Sequence, residues 1–200
     1  MSLIQGVVGN QSNADSANPV SARSGQQGDL IVSELHGRYY EATVRGNMFG
    51  ITGGLTTTTA AGAATFTGLL VVNPVGSGVN LAVNKVFIAQ PIALTAETEL
   101  GIMYGPNTVC ATKLTTISNR LPGGRPSYAT ASAGETLVPA MTSFIVISSG
   151  GTAVQPVNYS HDFEGGLVIP PGYSFASYTS RVTTTACVFS FQWEEVPVLR

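Results

Sequence analysis

The sequence predicts an all-β protein: an antiparallel, jelly-roll-like β-sandwich preceded by an extended N-terminal arm. Three observations point there. Short runs rich in Val, Ile, Thr, Leu and Phe recur along the 200-residue chain, punctuated by Gly, Pro and Asn, and none sustains the periodicity of a long amphipathic helix. Charged residues make up only 10% of the chain while hydrophobic ones make up 44%, against roughly 25% charged in an ordinary globular domain. The opening segment is polar and small in composition, unlike everything after it. A chain of this length holds one β domain with its own core, so one domain plus an arm is the simplest organisation.

Taken in order, residues 1–32 form the predicted arm. Met1 to Gly28 is rich in Gly, Asn, Ser, Gln and Ala, with sparse apolar residues, chiefly Leu3, Ile4, Val7 and Val8. It buries too little apolar surface to offset its own ordering entropy and is expected to order only along another subunit or the body of its own domain. The start, Met1 to Asn10, has no basic n-region and does not read as a secretory signal, so synthesis in the cytoplasm is expected. The β domain is expected over residues 33–200. Its first stretch, Ser33-Glu34-Leu35-His36-Gly37-Arg38-Tyr39-Tyr40-Glu41, predicts a short turn or helix leading into a strand.

Residues 46–84 contain no charged side chain, and their β-branched composition predicts strands at Thr56 to Thr59, Thr65 to Val72 and Val79 to Ile88. The turn signal Asn73-Pro74-Val75-Gly76-Ser77-Gly78 predicts that the last two form a hairpin or a loop-joined antiparallel pair. Further strands are predicted at Leu100 to Tyr104, Val109 to Thr115, Leu137 to Ile147, Gly166 to Ile169, Tyr173 to Tyr178 and Thr183 to Trp193. Many short strands with turns between them are the pattern of a sandwich or barrel. A sheet with one apolar face must cover it with a second sheet, and about eight strands predict a jelly roll.

Composition also excludes. No run approaches the roughly 18 to 20 apolar residues of a spanning helix, and the aromatic girdles of a transmembrane barrel are not evident with one Trp and seven Tyr. A net charge of -2 without a Lys/Arg cluster argues against a nucleic-acid surface, which needs several cations close together. Arg120 and Arg125 flank Leu-Pro-Gly-Gly, read as a loop. Cys110 and Cys187 are expected to be buried thiols rather than a disulfide. With His36 and His161 the only histidines, a three-histidine metal site is excluded and a Ser-His-Asp triad would need one of these two. His161-Asp162-Phe163-Glu164, beside Gly165-Gly166, reads as a solvated loop. Glu97 with Glu99, and Glu194 with Glu195, read as charged strand ends rather than glycosidase pairs. Gly53-Gly54, Gly123-Gly124 and Gly150-Gly151 lack phosphate-loop context. No catalytic residue, cofactor or metal is expected.

Three segments carry a resemblance. Asp15-Ser16-Ala17-Asn18-Pro19-Val20 through Glu34-Leu35-His36-Gly37-Arg38-Tyr39-Tyr40-Glu41, then Leu69-Leu70-Val71-Val72-Asn73-Pro74 with Gly76-Ser77-Gly78-Val79-Asn80-Leu81, then Gly166-Leu167-Val168-Ile169-Pro170-Pro171-Gly172-Tyr173 resemble tailed-bacteriophage virion proteins of the jelly-roll capsid decoration, or cement, type. The resemblance implies a non-enzymatic homotrimer on the capsid surface of the virion, bound across neighbouring major capsid protein subunits, with no nucleic-acid or membrane partner. Multivalency on an assembled lattice would add many modest contacts. In that reading Leu3, Ile4, Val7 and Val8 are apolar anchors of the arm. Arg23, Arg38 and Arg45 are candidates for charge-assisted contacts, and Tyr39 and Tyr40 complete the candidate set. Two other classes stay open: a glycan-binding tail or fibre protein, for which Tyr128, Tyr159, Tyr173 and Trp193 are too dispersed to show a groove, and a small hydrolase using His36 or His161.

Overall fold

The structure is a computed structural model that describes residues 37–53, 66–106, 115–137, 141, 143–152, 157–183 and 186–198, with the strands Gln5–Val7 and Pro19–Ser21. The chain divides into two compact units, Met1–Arg45 and Gly46–Arg200. In the first, β1 (Gln5–Val7) pairs antiparallel with β2 (Pro19–Ser21), within the stretch predicted as an arm. The polar and aromatic stretch predicted as a turn or helix contains α1, Tyr40–Val44. Thr43 Oγ1 donates to the Tyr39 carbonyl at 2.7 Å, the back-bonding typical of a Thr at the end of so short a helix.

The second unit holds β3 (Met48–Thr52), β4 (Phe66–Val72), β5 (Val79–Gln90), β6 (Thr98–Pro106), β7 (Ser118–Asn119), β8 (Thr130–Leu137), β9 (Ser143–Gly150), β10 (Val157–Ile169), β11 (Tyr173–Thr179) and β12 (Val188–Pro197). They form two five-stranded sheets in the orders β10-β5-β12-β3-β7 and β8-β4-β11-β6-β9. The pairing is nested: β3 with β12, β4 with β11, β5 with β10 and β6 with β9, all antiparallel. A long antiparallel ribbon rolled so that its successive strand pairs fall alternately in two facing sheets is a jelly roll, as predicted. β7 and β8, both in the connection from β6 to β9, extend one sheet each.

The core lies between the sheets. β12 alternates buried and partly exposed positions down to Glu195, and its inward residues Phe189, Phe191 and Trp193 are all at most 1% exposed. Phe175 of β11 meets them from the facing sheet, with ring centroids 5.0 Å from Phe191 and 6.2 Å from Trp193. Phe49 of β3 stacks on Trp193 at 6.3 Å. Offset and edge-on rings of this kind add roughly 0.5–1.5 kcal/mol per pair beyond area burial.

The second sheet is apolar on both faces. Leu69 and Val71 join the inter-sheet core, while Leu70 and Val72, with Met103, Met141, Ala176 and Tyr178, form a separate buried cluster. The continuous run Leu69-Leu70-Val71-Val72 is therefore a strand buried on two sides, for which unbroken hydrophobicity replaces alternation. This overturns the predicted hairpin. β4 pairs with β8 and β11, and β5 with β10 and β12, so residues 73–78 turn the chain from one sheet to the other. Asn73 fixes that corner: wholly buried, it donates from Nδ2 to the carbonyls of Val79 (2.8 Å) and Ile169 (2.9 Å).

Other predicted boundaries shift for identifiable reasons. His161-Asp162-Phe163-Glu164 is not a loop but part of β10, where the register against β5 breaks between Asp162 and Leu167. Glu164 and Gly165 take positive φ, 52° and 81°, forming a bulge. The strand predicted at Leu137 to Ile147 is the end of β8 and the start of β9. β8, with its Ala, Ser and Gly, lacks the β propensity that predicts a strand. The strands predicted at Thr56 to Thr59 and at 109–114 lie outside the described residues.

Asn73→Ala would remove the amide donor from the Ile169 carbonyl and leave the Val79 carbonyl with the longer 3.3 Å bond from Ser77 Oγ, at the corner shared by both sheets. We expect a loss of about 3 kcal/mol at an unchanged m-value, measured by urea unfolding; a loss below about 0.5 kcal/mol would remove Asn73 as the corner's fastening.

Candidate functional site

Of the predicted contact residues, Leu3, Ile4, Val8 and Arg23 lie outside the described residues, and Val7 is described only as backbone, opposite Pro19 in the β1–β2 ladder. Arg38, Tyr39, Tyr40 and Arg45 gather around α1. Tyr40 is 47% exposed, Tyr39 is half-buried, and Arg45 reaches Glu41 at 3.9 Å across one helical turn, an exposed pair worth only a few tenths of a kcal/mol. α1 thus brings together four of the nine candidates, with both tyrosines and two arginines on one short segment.

The sheet edges differ in chemistry. An edge strand leaves backbone donors and acceptors free to pair with another chain, and charges, prolines and bulges normally blunt it. β10 carries Asp162, Glu164 and the bulge between them and Leu167. β8 carries Glu135 and a bulge at Gly134, whose φ is 84°. β7 is two residues long and runs into Arg120. β9 has no charged residue and no proline. Its one register shift falls at Ile147, leaving Ser143 to Val146 regularly paired with β6 on one side. There Phe144 is 50% and Val146 45% exposed, and Phe144 stacks on Tyr178 at 4.6 Å with the rings 7° from parallel. Gly101 opposite them permits the close approach, since a Cβ at that position would collide with the Ile145 carbonyl.

The outer face of the other sheet has an uncharged patch. Phe87, Ala89, Asn158, Ser160, Val188 and Ser190 line a shallow depression of about 340 Å³. The ionic group beside it, Lys85, is committed to Asp162 at 3.1 Å and lies 5.3 Å from the Phe87 ring centroid. Such a surface supplies apolar contact and hydroxyls, not acid–base chemistry.

One acidic residue is misread from sequence. Glu195 is not a solvated strand end: it is wholly buried. Its Oε2 accepts from Arg125 at 2.7 Å, and its Oε1 accepts from Ser127 Oγ at 2.5 Å and Tyr128 N at 3.0 Å. Arg125 also donates to Asn47 Oδ1 at 3.1 Å and lies between the rings of Phe49 and Tyr128, 4.9 and 4.8 Å from their centroids. A carboxylate with both oxygens occupied is a clasp, tying the 120–129 connection to β12, and not a general acid or base. The signal missed in sequence is the pairing of residues 70 apart, which spacing does not reveal.

Two further titratable groups sit in packed surroundings, Cys187 and Tyr178. Cys187 is a free, buried thiol that burial pushes up to about 11, which keeps it protonated and a weak nucleophile. Cys110 and His36 lie outside the described residues. Burial, then the hydrogen bond to Glu99 at 3.2 Å, raise Tyr178 above its usual range. His161 is exposed and packs edge-on against Phe163 at 4.6 Å. Among the described residues no three His, Cys, Asp or Glu side chains converge on a point, and no helix is long and apolar enough to cross a membrane. No protein-family model matches the chain, and comparison with curated proteins and with solved structures returns no match.

Glu195→Ala would strand the Arg125 guanidinium and the amide of Tyr128 together. We expect about 3 kcal/mol of destabilisation, read from thermal or urea unfolding, and protease cleavage within 120–129 at a rate well above that of the parent; unchanged stability would show the clasp to be dispensable.

Proposed function

We propose that this protein is a non-enzymatic structural subunit that works by association with copies of itself and with a larger protein lattice, and specifically that it is a bacteriophage capsid decoration protein binding across major capsid subunits. The observation that carries the type of job is the β9 edge: a strand without charge or proline, presenting Phe144 and Val146, in a chain whose charge content is 10%. Such an edge on a free monomer invites uncontrolled pairing, whereas in an assembly it is an interface. The jelly-roll strand order and the three segments that resemble phage decoration proteins support the virion assignment. In this reading α1 and the segment before it supply the lattice contacts through Arg38, Tyr39, Tyr40 and Arg45 together with Leu3, Ile4, Val7, Val8 and Arg23, and the sandwich supplies the oligomer.

Co-sedimentation with empty capsids from the same source tests this. The full chain is expected to pellet with capsids at a fixed stoichiometry, and a chain lacking Met1 to Gly28 is expected to keep its β-sheet circular dichroism and remain in the supernatant. A full chain that ignores capsids would remove the decoration reading; equal binding by both chains would remove the arm's role.

A further inference from the structure

We propose that the outer face of the first sheet, at its β7 edge, holds a receptor for a carboxylate monoanion built around Arg120. The inference is independent of the capsid reading. In the register, Ser118 of β7 lies opposite Gly50 of β3, and Gly50 lies opposite Gln192 of β12, so Ser118 and Gly50 share a face. Gly50, Thr52, Thr116, Ser118 and Arg120 line a polar pocket of about 230 Å³. That is smaller than the ~300–1,000 Å³ of sites for whole drug-sized ligands and suits a single functional group.

Gly50 is what seats the guanidinium. A Cβ there would lie 2.7 Å from Arg120 Cζ and 2.8 Å from Nε, and closer still to Nη2. Near-equal distances to these three atoms put the glycine under the flat face of the group. The backbone fixes the other end, with Arg120 N donating to the Met48 carbonyl at 2.9 Å. Lying flat on the strand, the guanidinium keeps its in-plane N–H groups along the surface, the edge that binds a carboxylate with two parallel hydrogen bonds.

Unlike Arg125 and Lys85, which hold Glu195 and Asp162, Arg120 has no carboxylate partner among the described residues. Among the described residues the hydroxyls of Thr116 and Ser118 are likewise uncommitted, and the Thr52 hydroxyl bonds to Ser190 Oγ at 2.9 Å. One cation with hydroxyl donors around it neutralises one negative charge, which favours a carboxylate over a phosphate dianion in a protein whose net charge is already -2.

The test is a nuclear magnetic resonance titration of the full chain with sodium acetate at pH 7, against sodium chloride and sodium phosphate at matched ionic strength. Acetate is expected to give saturating shifts at the Arg120 Nε–H and at the amides of Gly50 and Ser118, beyond those from chloride. Arg120→Gln is expected to weaken acetate binding roughly tenfold or more, with the rest of the spectrum unchanged. Gly50→Ala keeps the charge but lifts the guanidinium, and is expected to weaken binding as well. Absence of saturation, equal shifts with chloride, or full retention of binding in Arg120→Gln would overturn the site; tighter binding of phosphate than of acetate would overturn its assignment to a carboxylate.

Discussion

A sheet that buries one face needs a second surface to bury it against, and in this protein that requirement is met by an aromatic layer shared between the two sheets. Phe49, Phe189, Phe191 and Trp193 come from β3 and β12, and Phe175 comes from β11 opposite. Each is essentially dry, and burial of a side chain of this size is worth roughly 1.5–3 kcal/mol. The nested pairing follows from the same requirement. β3 and β12 come from the two ends of the ribbon and lie side by side, so the residues that build this layer are brought together only when the whole ribbon is rolled. The sandwich therefore depends on contacts between residues far apart in sequence, a topology that folds slowly for its size.

The fastenings around that layer are polar and specific. Asn73 holds the corner between β4 and β5, and the Glu195–Arg125 pair holds the long connection from β6 to β9 against β12. Buried pairs of this kind contribute little net stability compared with an apolar replacement. Their effect here is on position: with both carboxylate oxygens used, the 120–129 connection has one seat. Asn119 Nδ2, donating to the carbonyls of Gly46 and Arg125 at 2.9 Å each, ties the same connection to the end of β7. With charged residues at only 10% of the chain and Glu195 buried against Arg125, much of the outer faces is left to hydroxyls and apolar side chains. That surface is the basis of the proposed association with other protein.

What could be read from the sequence followed from local pattern. The strands around Leu69 to Val72, Val79 to Ile88, Leu100 to Tyr104 and Tyr173 to Tyr178 have the β-branched and aromatic content that marks them, and the absence of helical periodicity settled the class. Strand partners were not legible, because a period-two pattern specifies faces and not neighbours; Asn73-Pro74-Val75-Gly76-Ser77-Gly78 looks the same whether it closes a hairpin or turns a corner between sheets. β8 escaped because Thr130 to Leu137 is small and polar and becomes a strand by pairing with β4. The site residues divide in the same way. Tyr39 and Tyr40 stood out by composition, whereas Glu195 looked like a charged end and Arg120 like a loop residue, since burial and the gap above Gly50 exist only in three dimensions.

The claim on which the functional account turns is that the uncharged β9 edge is an interface. The most direct measurement is the solution mass of the full chain by light scattering over a range of concentrations, beside Val146→Lys, which places a charge on that edge without touching the core. The account predicts a stable oligomer, a trimer by the resemblance to decoration proteins, that dissociates in Val146→Lys while the sheet spectrum is kept. A monomer at every concentration, or an oligomer indifferent to the lysine, would contradict it.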